Sequence, residues 1–190
     1  MTKKLLVLAS SPRIKGNSTT LAARAAETAQ ASGMEVEIIH LCRLKIKPCY
    51  ACDCCKEGKK YCTLKDDMQE IYPKLLAADA LILASPVYFY NYSAQLKCCI
   101  DRWYGLWNNR RDFLRGKPVG VILTYEDTNL EISGGINAVH SLESTLNYIG
   151  AEYMGCVHGP MAAVGDAAKN PEIMENAAQL GQKLAEALLK

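Results

Sequence analysis

Hydrophobic positions along this chain fall into two alternating kinds of run. Leu5–Ala9, Val36–Ile39, Ala80–Ala84, Pro118–Thr124 and Ala151–Val157 are short and largely apolar, as strands covered on both faces should be. Between them the apolar positions recur at helical spacing. Thr19–Ser32 is alanine-rich, and Gly33 ends it. A second helix is expected from an Asp66 or Asp67 cap to Ala77, with a kink or broken turn at Pro73. A third runs from a Ser93 cap to about Trp107, with Leu96, Ile100, Trp103 and Trp107 on one face. A fourth opens at Gly134-Gly135 and carries Val139, Leu142, Leu146 and Ile149. The last starts at Asn170-Pro171, with Pro171 suited to the first helical position. Ser85-Pro86 is expected to break the third strand.

Five strands alternating with helices predict a doubly wound parallel sheet. Ligands of such sheets bind beyond the carboxyl ends of the strands. The informative loops are therefore 10–18, 40–65, 85–93 and 124–135.

Composition narrows the picture. At 190 residues and 49% hydrophobic, the chain fits one domain over residues 1–190, with a cysteine-rich insertion at 43–65. A net charge of +2 gives no global pull toward nucleic acid or a membrane surface. No apolar run approaches bilayer length. The opening Met1–Ala9 superficially resembles a signal peptide, but its apolar run of five residues is too short and reads better as a buried strand. A cytoplasmic protein is expected. Its nine cysteines, an odd number, then suit metal binding, catalysis or burial better than structural disulfides.

The first loop reads Ser10-Ser11-Pro12-Arg13-Ile14-Lys15-Gly16-Asn17-Ser18-Thr19. It joins a strand to a helix N-terminus, where unpaired N–H groups and partial positive charge suit a phosphate. Neither G-x4-G-K-[ST] nor G-x-G-x-x-G is present, so a single phosphate monoester fits better than a dinucleotide. An ordinary Ser/Asn-rich turn with a helix cap is the competing reading.

Taken with Ser85-Pro86-Val87-Tyr88 after the third strand, S-P-R-x-x-G-N-S resembles the NADPH-dependent FMN reductase family. The cysteine-rich loop makes the chain similar to that family's iron–sulfur flavoprotein branch. The resemblance covers most of the chain, and is strongest over Lys4–Thr19 and Lys47–Arg102. It implies a flavodoxin-like three-layer sandwich, with a five-stranded parallel sheet in order 2-1-3-4-5. It also implies FMN, with Ser11, Arg13, Asn17, Ser18 and Thr19 at the phosphate. Pro86, Val87, Tyr88, Phe89 and Tyr90 would lie about the isoalloxazine. Thr124, Tyr125 and Gly134 would approach it from the long third loop. Ser10 stands where the family often has glycine, and Tyr90 where a small residue is usual.

Half of the fourteen aromatics lie between Tyr88 and Trp107, which suits a planar ligand. Trp103 and Trp107 are read first as core packing. If exposed with Tyr104, they would suit a contact between subunits, and the resemblance implies a homodimer or homotetramer. Glu126, Asp127 and Glu131 are read as a solvated surface. His40, His140 and His158 form no readable triad or metal set, and no general acid or base is nominated.

Five cysteines crowd into Pro48–Asp67. Leaving Cys54 aside, Cys49, Cys52, Cys55 and Cys62 have the spacing C-x2-C-x2-C-x6-C. Three thiols close together and a fourth returning after a loop can enclose a [4Fe–4S] cluster. Structural zinc is a second reading, though zinc knuckles are usually well separated. A metal-free thiol loop is the third. Cys54 could substitute for a ligand or stand by. Arg43, Lys45, Lys47, Lys56, Lys59 and Lys60 surround the loop, as cluster-tuning charges, a solvated surface or a docking patch for an acidic carrier. Cys42, Cys98, Cys99 and Cys156 are read as small core residues.

The expected function is electron transfer between FMN and the cluster, with NAD(P)H or a ferredoxin-like carrier as partner. A cluster-free NAD(P)H-dependent FMN or quinone reductase is the alternative. A thiol- or metal-responsive binding module without turnover is a second.

Overall fold

The computed structural model describes residues 2–57 and 61–188. In chain order its elements are β1 (Lys4–Ala9), α1 (Asn17–Ala31), β2 (Glu35–His40), α2 (Met68–Ala77), β3 (Ala80–Tyr88), β4 (Asn91–Tyr92), α3 (Ala94–Arg102), α4 (Tyr104–Asn109), β5 (Pro118–Tyr125), α5 (Gly135–Tyr148), β6 (Glu152–Pro160), α6 (Asp166–Lys169) and α7 (Pro171–Leu188). The long strands pair in parallel in the order β2-β1-β3-β5-β6. This is the flavodoxin-like order 2-1-3-4-5, with the two-residue β4 added antiparallel to β3.

Strand pleating sorts the core into two layers. Leu6, Leu8, Leu81, Leu83, Val119 and Val121 face α2, α3 and α5. Leu5, Val7, Ala80, Ile82 and Ile122 face α1 and α7. The alanines of α1 have a packing purpose, since Ala22, Ala25, Ala26 and Ala29 are all buried. A Cβ on Gly181 of α7 would stand 2.0 Å from the Ala25 carbonyl oxygen, so these helices nearly touch backbones.

Several expectations change. The third strand does not end at Ser85-Pro86. It runs on to Tyr88, with Pro86 paired to Thr124. The β1 ladder stops at Ala84, so Pro86 sits where one flank of β3 is already free and a missing N–H costs little. Phe89 and Tyr90, both at positive φ, then form a two-residue turn into β4. The helix expected through Trp107 divides at Trp103 into α3 and α4. Pro73 is tolerated inside α2. Trp103 is a core residue at 3% exposure, Trp107 is half-buried and Tyr104 is exposed, so Trp103 offers no surface to a partner. Cys99 is fully buried, whereas Cys42, Cys98 and Cys156 are only half-buried. Among the described residues, no helix is long and apolar enough to cross a membrane.

Candidate functional site

At the carboxyl edge of the sheet, a cavity of about 220 Å³ opens between the first loop, the end of β3 and the end of β5. Nine nominated residues line it: Ser11, Arg13, Asn17, Ser18, Pro86, Val87, Tyr88, Thr124 and Tyr125. Four do not. Thr19 faces a neighbouring groove with Lys15, Val164 and Met174. Phe89 is wholly exposed. Tyr90 lies against Gly134, where an added Cβ would stand 2.0 Å from its Cδ1. Gly134 has φ +70° and turns the chain into α5 instead of lining the cavity.

The phosphate end is prepared for an anion. Gly16 precedes α1 without a side-chain cap, so the first-turn N–H groups lack helical partners. Ser18 is 1% exposed, and its Oγ has no hydrogen-bond partner. Buried polar atoms are seldom left so, which points to a ligand oxygen at this position. A Cβ on Gly16 would meet Ser11 Oγ at 2.6 Å and the Arg13 carbonyl at 2.9 Å. Only glycine keeps this cradle open. The residues present therefore fit a phosphate monoester such as that of FMN.

Asn17 has a different use for its side chain. Its Nδ2 donates to the Ala163 carbonyl, while Oδ1 accepts from the N–H groups of Gly165 and Ala167. It fastens the first loop to the segment after β6. That segment supplies Met161, Ala162 and Val164 to the cavity wall, which sequence reading missed. It carries no motif, and only the place of β6 beside β5 in the sheet brings it there. Glu126 also lines the cavity while remaining exposed.

A knot of serines holds the loops in register. Ser93 Oγ donates toward Ser10 Oγ at 2.8 Å and lies 3.3 Å from the Ser10 carbonyl. Ser10 Oγ donates to the Ala84 carbonyl, and the Ser93 N–H donates to Ser85 Oγ. Ser93 does stand at the N-cap position of α3, but its hydroxyl is diverted into this knot. Ser10 thus links β1 to β3.

The cysteine loop is held from below by a buried ion pair. Arg102 Nη1 and Nη2 reach Asp66 Oδ2 and Oδ1 at 2.6 and 3.1 Å, with both side chains at most 2% exposed. Arg102 also donates to the Lys47 carbonyl, and Tyr72 Oη donates to the Arg102 carbonyl. Asp66 accepts from the Lys47 N–H and Asp67 from the Lys45 N–H. The incoming arm before Cys49 is thereby strapped to the outgoing arm after Cys62. Burial disfavours the Asp66 carboxylate, but hydrogen bonds from Arg102 and Lys47 outweigh it and hold its pKa below the usual value.

Within the loop, Cys49, Cys52, Cys55 and Cys62 all line one cavity of about 30 Å³, closed by Arg102, Tyr104 and Gly105. Cys54 does not line it. Its thiol donates to the Cys52 carbonyl at 3.6 Å, and the residue is exposed. Asn108 Nδ2 lies 3.7 Å from Cys55 Sγ, and Asn109 donates to the Cys55 carbonyl. A Cβ on Gly105 would stand 2.0 Å from the Tyr61 carbonyl oxygen, so α4 meets the returning arm backbone to backbone. Ala51 and Asp53, flanking Cys52, both have positive φ. Among the described residues, no three His, Cys, Asp or Glu side chains are gathered to hold a single metal ion. Arg43, Lys45, Lys47 and Lys56 are exposed around the loop, Lys56 pairing with Asp53, while Lys59 and Lys60 lie outside the described residues.

This arrangement has relatives. Residues 3–164 match the family described as NADPH-dependent FMN reductase. The chain belongs to that family. Within it the chain falls in the iron–sulfur flavoprotein branch. It is 38% identical to an iron–sulfur flavoprotein of Methanocaldococcus jannaschii, over 96% of each chain. It is 36% identical to one of Archaeoglobus fulgidus, over 97% of this chain and 80% of the relative. Among solved structures, the Trp repressor binding protein of Bacillus subtilis superposes with a TM-score of 0.70 at 26% identity, covering 94% of this chain and 99% of that one. As a member of this family the protein is an FMN oxidoreductase.

Proposed function

We propose that this FMN oxidoreductase carries a second redox centre, a [4Fe–4S] cluster on Cys49, Cys52, Cys55 and Cys62. One observation carries the reading. Those four of the five loop cysteines line a common cavity, and Cys54 is turned away from it. The names of the two archaeal relatives, both iron–sulfur flavoproteins, support it. FMN exchanges two electrons as hydride or one at a time, and a cluster passes single electrons.

The chain's own residues do the remaining work. Ser18 Oγ and the first-turn N–H groups of α1 hold the FMN phosphate, with Ser11 and Arg13 beside them. Asn17 acts by locking this loop to the cavity's far wall. Pro86, Val87, Tyr88, Thr124 and Tyr125 enclose the ring and exclude water. Arg102 and Asp66 fix the two arms of the cysteine loop, and Asn108 offers an N–H to the Cys55 sulfur. NAD(P)H or a ferredoxin-like carrier supplies the electrons, the exposed Arg43, Lys45, Lys47 and Lys56 suiting an acidic carrier. Exposed Tyr104 and half-buried Trp107 suit a contact in a homodimer or homotetramer within the cytoplasm.

The test is purification without oxygen, followed by an absorption spectrum and assays of iron and acid-labile sulfide. Flavin with about four iron and four sulfide per chain is the expected result. Flavin alone would favour a cluster-free NAD(P)H-dependent reductase. The smallness of the cysteine cavity favours that second reading.

A further inference from the structure

Tyr125 ends β5 and lines the cavity assigned to FMN, yet its hydroxyl is bonded away from the cavity's other liners. Its Oη lies 3.1 Å from Nδ1 of His158, and the two rings are 6.0 Å apart at an interplanar angle of 32°. Tyr125 is 6% exposed, whereas His158 is exposed on β6, the last strand of the sheet. The pair therefore spans from the cavity wall to bulk water. Neither residue has a packing reason to be polar. A phenylalanine would fill the wall equally well, and an edge strand does not need an imidazole.

We propose that Tyr125 and His158 form a proton relay between solvent and the FMN ring, with Tyr125 touching the ring and His158 acting through it. The proposal rests on the cavity being the FMN site.

One hydrogen bond with two directions gives the device its logic. With His158 neutral and its proton on Nε2, the Tyr125 O–H donates to Nδ1. With His158 protonated on both nitrogens, Nδ1–H donates to Tyr125 Oη, and the Tyr125 O–H is free to point into the cavity. Hydride from a nicotinamide brings two electrons and one hydrogen, so full reduction of the ring takes one further proton from water. As the Tyr125 O–H swings into the cavity, exposed His158 takes that proton from water at Nδ1, becoming protonated on both nitrogens, and then passes it to Tyr125 Oη. The original Tyr125 proton leaves for the ring. Tyrosine and histidine end as they began, and one proton has crossed.

The surrounding charges suit this use. Partial burial holds the His158 pKa below the ordinary imidazole value, while Glu131 from the loop after β5 pulls it back up. Burial also raises Tyr125, with Cys156 and Glu131 acting in the same direction. Glu126 lies on the cavity rim. The charged groups that the flanking helices bring to β6 act farther along it, Glu143 of α5 near Tyr153 and Lys183 of α7 on the Met154 carbonyl. Burial thus favours the neutral form of His158, and negative charge arriving in the cavity would favour the protonated one.

The experiment is a proton NMR titration of the three histidines in FMN-loaded protein, oxidised and then reduced by dithionite without oxygen. His158→Gln assigns the signal, and His40 and His140 are internal references. The His158 pKa is expected to rise by roughly one unit or more on reduction, the size a new charge within about 6 Å produces. Pre-steady-state bleaching of the flavin by a nicotinamide should show a break at the His158 pKa that vanishes in both His158→Gln and Tyr125→Phe. An unmoved His158 pKa, or a break that survives in Tyr125→Phe, would overturn the relay. Quenching of FMN fluorescence on mixing with apoprotein is read first. Its absence would overturn the FMN site and the relay together, whereas intact quenching with a silent His158 overturns the relay alone.

Discussion

The cavity proposed for FMN and the cysteine loop stand near the same edge of the sheet but are built in opposite ways. The cavity is made from strand ends and a helix N-terminus, bound together by Ser10, Ser85 and Ser93 and by Asn17. Hydrogen bonds among its own loops hold its shape. Among its described residues the cysteine loop has almost no regular structure, and three of its five cysteines are exposed. Two of its residues sit at positive φ, costing roughly 1–2 kcal/mol each for residues that bear a Cβ. What fixes it is the strap below, Arg102 with Asp66. A cavity braced in this way loses affinity when one donor is removed. A strapped loop loses its geometry when the strap is cut. Substitutions in the two regions should therefore fail differently.

Arg102→Met should have the largest effect. It leaves the Asp66 carboxylate buried without its partner, which costs about 3–5 kcal/mol for such pairs. Chemical denaturation measures this, and iron should be lost from whatever remains folded while FMN is retained. The double variant Arg102→Met with Asp66→Leu should recover most of the stability, since buried ion pairs replace well by apolar residues. It should not recover the iron, because the Lys47 bonds to both side chains are gone. Recovery of both would show that the strap has no role in shaping the loop. The acid dependence follows from the same pair. The folded Asp66 pKa is depressed, so its contribution is complete above the unfolded value of about 4. It is lost as pH falls through the lower folded value. Asp66→Asn should remove that part of the acid transition and lower stability at pH 7.

Gly105→Ala comes next. Glycine to alanine inside a helix ordinarily stabilises by about 1 kcal/mol. Here the new Cβ meets the Tyr61 carbonyl, and the outgoing arm must move just before Cys62. A loss of about 1–3 kcal/mol is expected, typical of overpacking, together with lower iron and unchanged FMN. A rise in thermal midpoint would mean that α4 and the arm are not packed backbone to backbone.

Ser18→Ala probes the cavity instead. In the apoprotein it removes a buried hydroxyl with no partner, so stability should hold or rise slightly. FMN affinity, followed by fluorescence quenching, should fall about 10- to 100-fold, as for loss of a hydrogen bond to a charged group. Iron content should not change. A variant that loses apo stability and keeps FMN affinity would place Ser18 in the packing, not at the phosphate.

The same contrast explains what could be read from the chain before its structure. The alternation of strands and helices, and the strand–turn–helix junction at the first loop, were legible because apolar runs and the 3.6 period are local, whereas the strand order came only through the family resemblance. The cysteine set was legible as spacing alone. The strap was not, since Arg102 looks like any helical arginine and Asp66 like a helix cap until α3 is laid across the loop. In the sequence Ser85-Pro86 suggests a strand end, because proline lacks an N–H. Only the sheet shows that its β1 flank is already free there. Met161–Val164 and His158 were hidden for a related reason. They belong to β6 and the segment after it, whose nearness to the first loop is a property of sheet order. Thr19, one residue beyond Ser18, turns to the neighbouring groove because successive helix residues point about 100° apart.

The smallest expected effect is also the sharpest test of the cysteine loop. Cys54 is the extra thiol in Cys52-Asp53-Cys54-Cys55, and by spacing alone it competes with Cys55. The fold separates them. Cys55 faces the shared cavity and lies near Asn108 Nδ2, whereas Cys54 bonds back to the Cys52 carbonyl at the surface. Cys54→Ser should therefore leave iron, sulfide and the visible spectrum as they were, with stability within about 0.5 kcal/mol of the parent as for other surface changes. Cys55→Ser should lose the cluster while keeping FMN, because an alcohol at that position cannot replace a thiolate that the cavity, Asn108 and Asn109 all position. If instead Cys54→Ser loses iron and Cys55→Ser keeps it, the loop rearranges on cluster binding, and the positive-φ residues Ala51 and Asp53 are where that rearrangement would turn.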